Sequence, residues 1–401
     1  MAKIAILGFG VVGSGVYDVI NKNSGTVRGK AGDEIEIKYI LARKEYAGTP
    51  FEKRVVHDFA VIEMDPEVSV VSESIGGVGA AYEYTVRALK AGKSVVTSNK
   101  ELVATHGYEL MQLARENGVN YMFEASVGGG IPVIRPMFTC LAGNEIDEIS
   151  GILNGTTNYI LTKMINESVS FADALKEAQE LGYAESDPSA DVDGIDAQRK
   201  LSILTTVAYG EHVYPEAVYA EGITKITLED VALAEQLGYV IKLIGHTCRE
   251  DGSIYAYVAP HMVPKTNMLA GVQDVFNAVM VKGNMVDEVL FYGKGAGKLP
   301  TASAMVADII DCVKHRGMHL SRKWEDGRDG QIASMETYSS SFFVAIRGTE
   351  ADARATLPVR KAVCKGGVTA VITEKMQVKT LKEKIRGLAA DSRIVSEYFV
   401  L

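Results

Sequence analysis

Three glycines near the start of the chain, Gly8, Gly10 and Gly13 in KIAILGFGVVGSGVYDVI, restrict the fold more than any other feature. They stand between an apolar run with strand character and a helical pattern. In that setting Gly8 allows a tight turn, Gly10 lets backbone amides approach a pyrophosphate, and Gly13 permits close helix–strand packing. The helix N-terminus adds N–H donors and partial positive charge. The pattern predicts a dinucleotide site built from Gly8, Phe9, Gly10, Val11, Val12 and Gly13. Alone the motif is weak; its place between a strand and a helix gives it weight.

Downstream, VSVVSESIGG and SVVTSNK alternate with helical patterns. This rhythm predicts an α/β fold with a Rossmann-type, doubly wound parallel sheet over residues 1–144. The strand EIEIKYILARK follows a Gly/Lys-rich insertion at 21–33 and ends in Arg43 and Lys44. An acid there would hold the ribose 2′-hydroxyl of NAD, whereas cations favour a 2′-phosphate. NADP(H) is therefore expected ahead of NAD(H), the bland alternative being a solvated basic loop end. Lys100, with Thr97 and Ser98 just before it, lies at the strand edge where such sheets bind ligands. Position alone does not single it out, because a lysine at a strand end usually faces solvent. In YMFEASVGGGIPVIRPM, Glu124 and the loop carbonyls could coordinate a hard cation. From spacing, a glycine turn crossing between domains is the better explanation.

The 401 residues imply two or three domains. A net charge of -9, with no Lys/Arg-rich block, argues against nucleic acid and anionic membrane as partners. Cys140, Cys248, Cys312 and Cys364 are isolated, which disfavours zinc sites and disulfides and points to a reducing compartment. No leader pattern and no apolar stretch near ~18 residues is seen, so a soluble, cytoplasmic protein is expected.

At about residue 145 the pattern changes. EIDEISGIL reads as a strand, Asn154-Gly155-Thr156-Thr157 as a capped turn and NYILTKMI as a helix. That helix start is either a carboxylate cradle or only a good cap. Then comes GYAESDPSADVDGIDAQRK, with Glu185, Asp187, Asp191, Asp193 and Asp196 ahead of Lys200. A calcium loop with Gly194 at its sixth position would place Lys200 where a bidentate Glu is required, so that reading fails. Asp196 and Lys200 are i and i+4 on a helical pattern and share a face. Spacing leaves two readings open. A surface salt bridge is slightly ahead of an oriented proton donor whose surrounding acids suit a substrate ammonium.

FYGKGAGKLPTASAMVADIID fails as a phosphate-binding loop, since Tyr292 and Leu299 replace required residues. It leaves a glycine turn at Gly297 entering a helix that either returns to the nucleotide site or connects domains. After the polar link SRKWEDGRDGQ, YSSSFFVAIRG, GGVTAVITEK and IVSEYFVL read as strands, with VKTLKEKIRGLAA as a helix. The expected architecture is a nucleotide domain (1–144, completed by a helix at about 295–320), an α+β catalytic and dimerisation domain (145–294) and a small α+β module (330–401).

The run AQELGYAESDPSADVDGIDAQRK, starting at Ala178, closely resembles the signature of homoserine dehydrogenases. ILNGTTNYIL, SVVTSNK, EASVGGGIPVIRP and GKGAGKLPTASAMVADI are similar to other blocks of that family, in its order, over roughly residues 1 to 320. The resemblance implies NAD(P)-linked interconversion of L-aspartate 4-semialdehyde and L-homoserine, in threonine, methionine and isoleucine biosynthesis. It implies Lys200 as proton donor with Asp196 its partner, and Glu185 on the substrate amine or a site water with Asp191 beside it. Lys100 would line the substrate and nicotinamide site, with Thr156 and Tyr183 as further substrate contacts. Gly8 to Gly13, Arg43 and the loop around Gly297 would hold the cofactor. A monovalent cation, Na+ or K+, would sit on Glu124 and the carbonyls of Val127, Gly129 and Ile131. A small-molecule substrate and a homodimer or homotetramer complete the expectation. The tail resembles an ACT module truncated by a helix–strand portion, which favours dimerisation over amino-acid sensing.

Two rivals differ in kind. An aspartate semialdehyde dehydrogenase would need a thioester-forming cysteine, and Cys140 in FTCLAGN has no nearby histidine. A non-catalytic nicotinamide sensor would tolerate loss of Asp196 and Lys200, which this chain keeps.

Overall fold

Strand β1 (Ala2–Leu7) is an apolar run buried along nearly its whole length, as a strand covered on both faces requires. It joins β2 (Ile35–Leu41), β3 (Val55–Val56), β4 (Val68–Glu73), β5 (Ser94–Thr97) and β6 (Tyr121–Met122) in a parallel sheet of order β3-β2-β1-β4-β5-β6. Chain order reverses beside β1, so a crevice opens past the C-terminal ends of β1 and β4. The structure, a computed structural model, describes residues 1–320, 324–390 and 393–401. The start of the expected polar link, 321–323, lies outside the described residues.

The chain divides into two units. The first comprises Met1–Asn144, Ser202–Pro215 and Gly293–Gly327. Here the glycines act through contact distance. A Cβ on Gly13 would stand 2.0 Å from the Gly8 carbonyl oxygen, and one on Gly15 would stand 2.7 Å from that of Lys298. The helices Val11–Lys22 and Lys298–Lys314 therefore meet backbone to backbone, and Val16, Ile20, Ala302, Met305 and Ile309 share a core with Ile4 and Ile6. The 21–33 insertion forms a helix, Ser24–Ala31, which buries Val27 and Ala31.

The second unit comprises Glu145–Leu201, Glu216–Tyr292 and Arg328–Leu401. Its mixed sheet contains β7 (Ile146–Ile152), β8 (Tyr219–Ala220), β9 (Tyr239–Glu250), β10 (Ser253–Pro264), β11 (Phe276–Gly283) and β12 (Asp287–Lys294). β9 and β10 form a long antiparallel hairpin closed by Asp251-Gly252, both at positive φ as a two-residue hairpin loop demands. β13 (Ser339–Ser340) pairs with β17 (Met376–Gln377) in a short ribbon.

The C-terminal segment runs β14 (Phe342–Arg347), helix Glu350–Thr356, β15 (Val359–Lys365), β16 (Val368–Thr373), helix Val378–Ala390 and β18 (Ile394–Val400). This corrects the expected truncation. The supposedly missing helix–strand portion is present as the helix Glu350–Thr356, closed by a Thr349–Asp352 capping box, and β15. The order β18-β14-β16-β15 is that of a complete ferredoxin-like βαββαβ unit. β18 also pairs with β10, so one sheet of order β12-β11-β7-β9-β10-β18-β14-β16-β15 continues through the segment. No helix among the described residues is long and apolar enough to cross a membrane.

The Gly13 contact yields a first prediction. Gly13→Ala drives a methyl into the Gly8 carbonyl and is expected to destabilise the first unit by about 3 kcal/mol. The measurement is urea denaturation followed by tryptophan fluorescence, with a lower midpoint than wild type.

Candidate active site

The helix Ile195–Tyr209 carries Asp196 and Lys200 one turn apart, as their spacing requires. The bland reading, a solvated pair, does not survive burial: Asp196 is 5% and Lys200 8% exposed. Lys200 Nζ donates to Asp196 Oδ2 at 2.6 Å and to the Leu153 carbonyl at 2.8 Å. A buried ion pair is costly to assemble, and removing one member strands the other charge, at about 3–5 kcal/mol.

Asn154 links the acids. It is the N-cap of helix Gly155–Glu167, where its Oδ1 accepts the Thr157 N–H at 2.8 Å. Its Nδ2 donates to Asp191 Oδ1 at 2.6 Å and to Asp196 Oδ2 at 2.9 Å. From sequence this residue reads only as a cap; its second role appears once chain segments 42 residues apart meet. Thr156 is nearly buried and its hydroxyl donates to the Tyr183 carbonyl at 2.6 Å, which ties the helix start to the acidic loop. Tyr183 is exposed, with its ring edge-on to Tyr159. Glu185 is also exposed, and its carbonyl accepts from the Gln179 side chain. The structure thus gathers Thr156, the Tyr183 backbone, Asp191, Asp196 and Lys200, and leaves the Glu185 side chain facing outward.

The helix Gly155–Glu167 is fixed from beneath. Asn158 Nδ2 donates to the carbonyls of Val272, Asp274 and Phe276, while Lys242 Nζ donates to Asn158 Oδ1 at 2.9 Å and to the Val272 carbonyl. Burial pulls the Lys242 ammonium down to about 8. The strapped loop presses on the helix start so closely that a Cβ on Gly155 would stand 2.8 Å from the Val275 carbonyl oxygen.

In the first unit, Gly10 is the N-cap of Val11–Lys22, and a Cβ on it would meet nothing within 4 Å. Bare N–H groups at a helix N-terminus with open space beside them fit a pyrophosphate. Phe9 packs among Tyr17, Tyr46 and Phe51. Arg43 and Lys44 are exposed just beyond β2, past which the 2′ position is read in this fold. Gly297, at φ +124°, caps the helix Lys298–Lys314, and Lys298 pairs with Asp18 at 2.8 Å. That helix therefore returns to the glycine motif. Lys100 is the first residue of helix Lys100–Glu116, where a cation opposes the macrodipole at roughly 0.3–1 kcal/mol. Such a cost suits a functional position better than a structural one. Thr97 is fully buried, its hydroxyl held by Glu73 and by the Asn99 N–H, and Ser98 is half-buried between them.

Glu124 is 3% exposed. Its Oε1 accepts the Val133 and Ile134 N–H groups at 2.8 and 3.0 Å, and its Oε2 accepts that of Arg135 at 2.6 Å. A carboxylate offers about four lone-pair positions, so three N–H donors leave room for one cation contact. Val127, Gly129 and Ile131 share its loop, held by the Ile131 N–H to Gly128 carbonyl bond and by Arg135 paired to Asp308. A carboxylate and backbone carbonyls are the kind of oxygen donors that hard ions take; among the described residues no cluster of three His, Cys, Asp or Glu side chains could hold a metal.

Residues 8–124 match the family described as "Homoserine dehydrogenase, NAD binding domain", and residues 132–310 match "Homoserine dehydrogenase". The chain belongs to the homoserine dehydrogenase family. Its activity is that of an oxidoreductase. It is 41% identical to the homoserine dehydrogenase of Pseudomonas aeruginosa over 360 residues, 87% of this chain and 82% of the relative. The crystal structure of a homoserine dehydrogenase from Thiobacillus denitrificans superposes with a TM-score of 0.90 at 35% identity, covering 100% of this chain and 98% of that one. A hyperthermophilic archaeal homoserine dehydrogenase solved in complex with NADPH matches with a TM-score of 0.65 at 30% identity, over 78% of this chain and 97% of that one.

Within the homoserine dehydrogenase frame, the bridging Asn154 can be tested. Asn154→Ala should cost about 1 kcal/mol of stability through the lost cap. Asn154→Asp should keep the cap and crowd a third carboxylate against Asp191 and Asp196. Both are expected to lower kcat by about tenfold or more, ~1.4 kcal/mol on the barrier. Steady-state kinetics beside thermal melts separates the two effects.

Proposed function

We propose that the chain reduces L-aspartate 4-semialdehyde to L-homoserine with NADPH, and that Lys200 supplies the proton. The observation that carries this is the buried ammonium held in one orientation by Asp196 and the Leu153 carbonyl. A bound nicotinamide cofactor supplies a hydride to the aldehyde carbon. Negative charge then grows on the aldehyde oxygen, and a fixed ammonium both stabilises it and transfers the proton that completes the hydroxyl. Asp196 keeps Lys200 oriented throughout and leaves with no change of charge. Asp191 and Glu185 serve the substrate ammonium, Thr156 and Tyr183 line the substrate, and Lys100 adds a cation on the cofactor side.

For the cofactor, Gly8, Phe9, Gly10, Val11, Val12 and Gly13 cradle the pyrophosphate, with Thr97, Ser98 and Gly297 bordering it. Arg43 and Lys44 receive the 2′-phosphate. Their exposed place beyond β2 supports NADP(H) over NAD(H), as does the NADPH bound by the archaeal relative. The Glu124 loop holds Na+ or K+ through Glu124 and the carbonyls of Val127, Gly129 and Ile131, which steadies that loop without entering the chemistry. The nucleotide site belongs to residues 1–144 with the 295–320 helix, substrate binding to 145–294, and an ACT-like role to 330–401. The complete βαββαβ order of that segment supports amino-acid sensing as well as dimerisation. A homodimer or homotetramer is supported by the exposed Met285, Val286 and Tyr292 at the β11–β12 edge. The setting is a cytoplasmic pathway of threonine, methionine and isoleucine synthesis.

Following NADPH absorbance with aspartate semialdehyde is the primary test, and absence of oxidation by the wild type sinks the proposal. Lys200→Met, which spares volume, should lower kcat by about 10²–10⁴-fold while NADPH still binds. Normal turnover by that variant would remove Lys200 from the chemistry. Arg43→Ala should lower kcat/KM for NADPH by about tenfold and leave NADH unaffected, about 1.4 kcal/mol of selective binding. A thermal shift on adding threonine would support sensing by the C-terminal segment.

A further inference from the structure

Glu73 is the last residue of β4, is 0% exposed, and has no part in the scheme above. Its two oxygens serve two different loops. Oε1 accepts the Ile75 N–H of the loop after β4, and Oε2 accepts the Thr97 hydroxyl at the end of β5. Thr97 Oγ1 in turn accepts the Asn99 N–H at 2.9 Å. Asn99 closes the circuit, because its Nδ2 donates to the carbonyls of Ile75 and Gly77 at 3.1 and 2.7 Å while its Oδ1 caps the helix that opens with Lys100.

This circuit sits at the sheet's switch point. Ser74 Oγ donates to the carbonyls of Leu7 and Gly8, and a Cβ on Gly8 would stand 2.9 Å from the Ser74 carbonyl oxygen. The loop after β4 is thereby fixed against the glycine turn. On its far side a Cβ at Gly76, Gly77 or Gly79 would meet nothing within 4 Å, so the loop presents bare backbone to an open face. A rigid loop with exposed backbone, next to a dinucleotide turn, is a surface for a flat ligand to rest on.

We propose that Glu73, acting as a carboxylate, is a positioning residue for the cofactor: by accepting from both loops it sets the Ser74–Gly77 backbone and the Lys100 helix start that receive the nicotinamide end. The inference rests on the cofactor reading given above. Protonated on Oε2, Glu73 presents an O–H where the Thr97 hydroxyl now donates, so that bond must reverse or break and the Thr97–Asn99 arm of the circuit reorients. Burial opposes the ionised form and the Thr97 and Ile75 donors hold it, so that its carboxyl titrates at about 7 rather than about 4.5. Its register partners on β1 and β5 are Leu7 and Thr97, which do not titrate. Tyr121 on β6 is the titratable side chain that responds to it, its phenol held well above the ordinary range mainly by its own burial. Cofactor affinity therefore falls as pH drops through about 7. Stability moves the other way. The folded state binds the extra proton between about 4.5 and 7, so stability is lost as pH rises across that window and the buried charge stands as a cost above it.

The test titrates NADPH fluorescence against wild type, Glu73→Gln and Thr97→Val between pH 6.5 and 8.5, with thermal melts at each pH. Wild-type affinity should fall several-fold from the upper to the lower pH beyond any change seen in Glu73→Gln. Glu73→Gln should bind weakly across the range, like wild type at low pH, yet melt at or above wild type at pH 8.5. Thr97→Val should bind weakly throughout. Parallel pH curves for wild type and Glu73→Gln, or a Glu73→Gln melt well below wild type at pH 8.5, overturn the inference and leave the cofactor reading intact. Failure of the wild type to bind NADPH overturns both.

Discussion

An ammonium and a carboxylate 2.6 Å apart, both nearly out of water, can persist only where every other demand on them is met. The Lys200–Asp196 pair meets this through the Leu153 carbonyl on one side and the Asn154 amide on the other. Much of the second unit serves that arrangement. Asn154 must be a helix cap to present its amide, the helix must be pinned by Asn158 and Lys242, and the loop they hold must lie on a residue without a Cβ. The acidic stretch is thus less a cluster than the exposed end of a hydrogen-bonded frame that begins in the sheet.

The first unit answers a different constraint with the same device. Its cofactor face must be bare backbone, which supplies few side-chain contacts to keep loops in place. Side chains behind the face compensate: Ser74 ties the two turns, Glu73, Thr97 and Asn99 tie the next two, and Glu124 collects the consecutive N–H groups of Val133, Ile134 and Arg135, where the helix Ile134–Thr139 follows the glycine-rich loop. In each case a polar group that would be costly if unpaired is fully engaged, and the loop it holds gains a single conformation.

Sequence was informative where local rules decide. The glycine spacing, the strand–helix alternation of the first unit and the i,i+4 pair were legible because turn sterics and helix periodicity act over a few residues. The βαββαβ order of the tail was not, because Glu350–Thr356 is only two turns long and β15 is an edge strand with weak alternation. β9 and β10 are buried on both faces over most of their length, so the period of two that marks a strand is missing. The acidic residues could be read as a group, whereas the burial of Asp196 and Lys200 could not, since it arises from Leu153 and Asn154 more than forty positions earlier. Glu73 left one usable trace: a lone acid ending a strand of valines and serines that is buried along nearly its whole length.

The pairing of β18 with β10 joins residues 138 positions apart, His261 with Phe399 and Met262 with Val400, in the interior of one sheet. Until 394–400 has left the ribosome, one edge of a long apolar hairpin stands open where β18 will insert. The sheet of the second unit is therefore completed only once β18 is available, and a chain lacking that strand leaves the β10 edge unpaired at His261 and Met262.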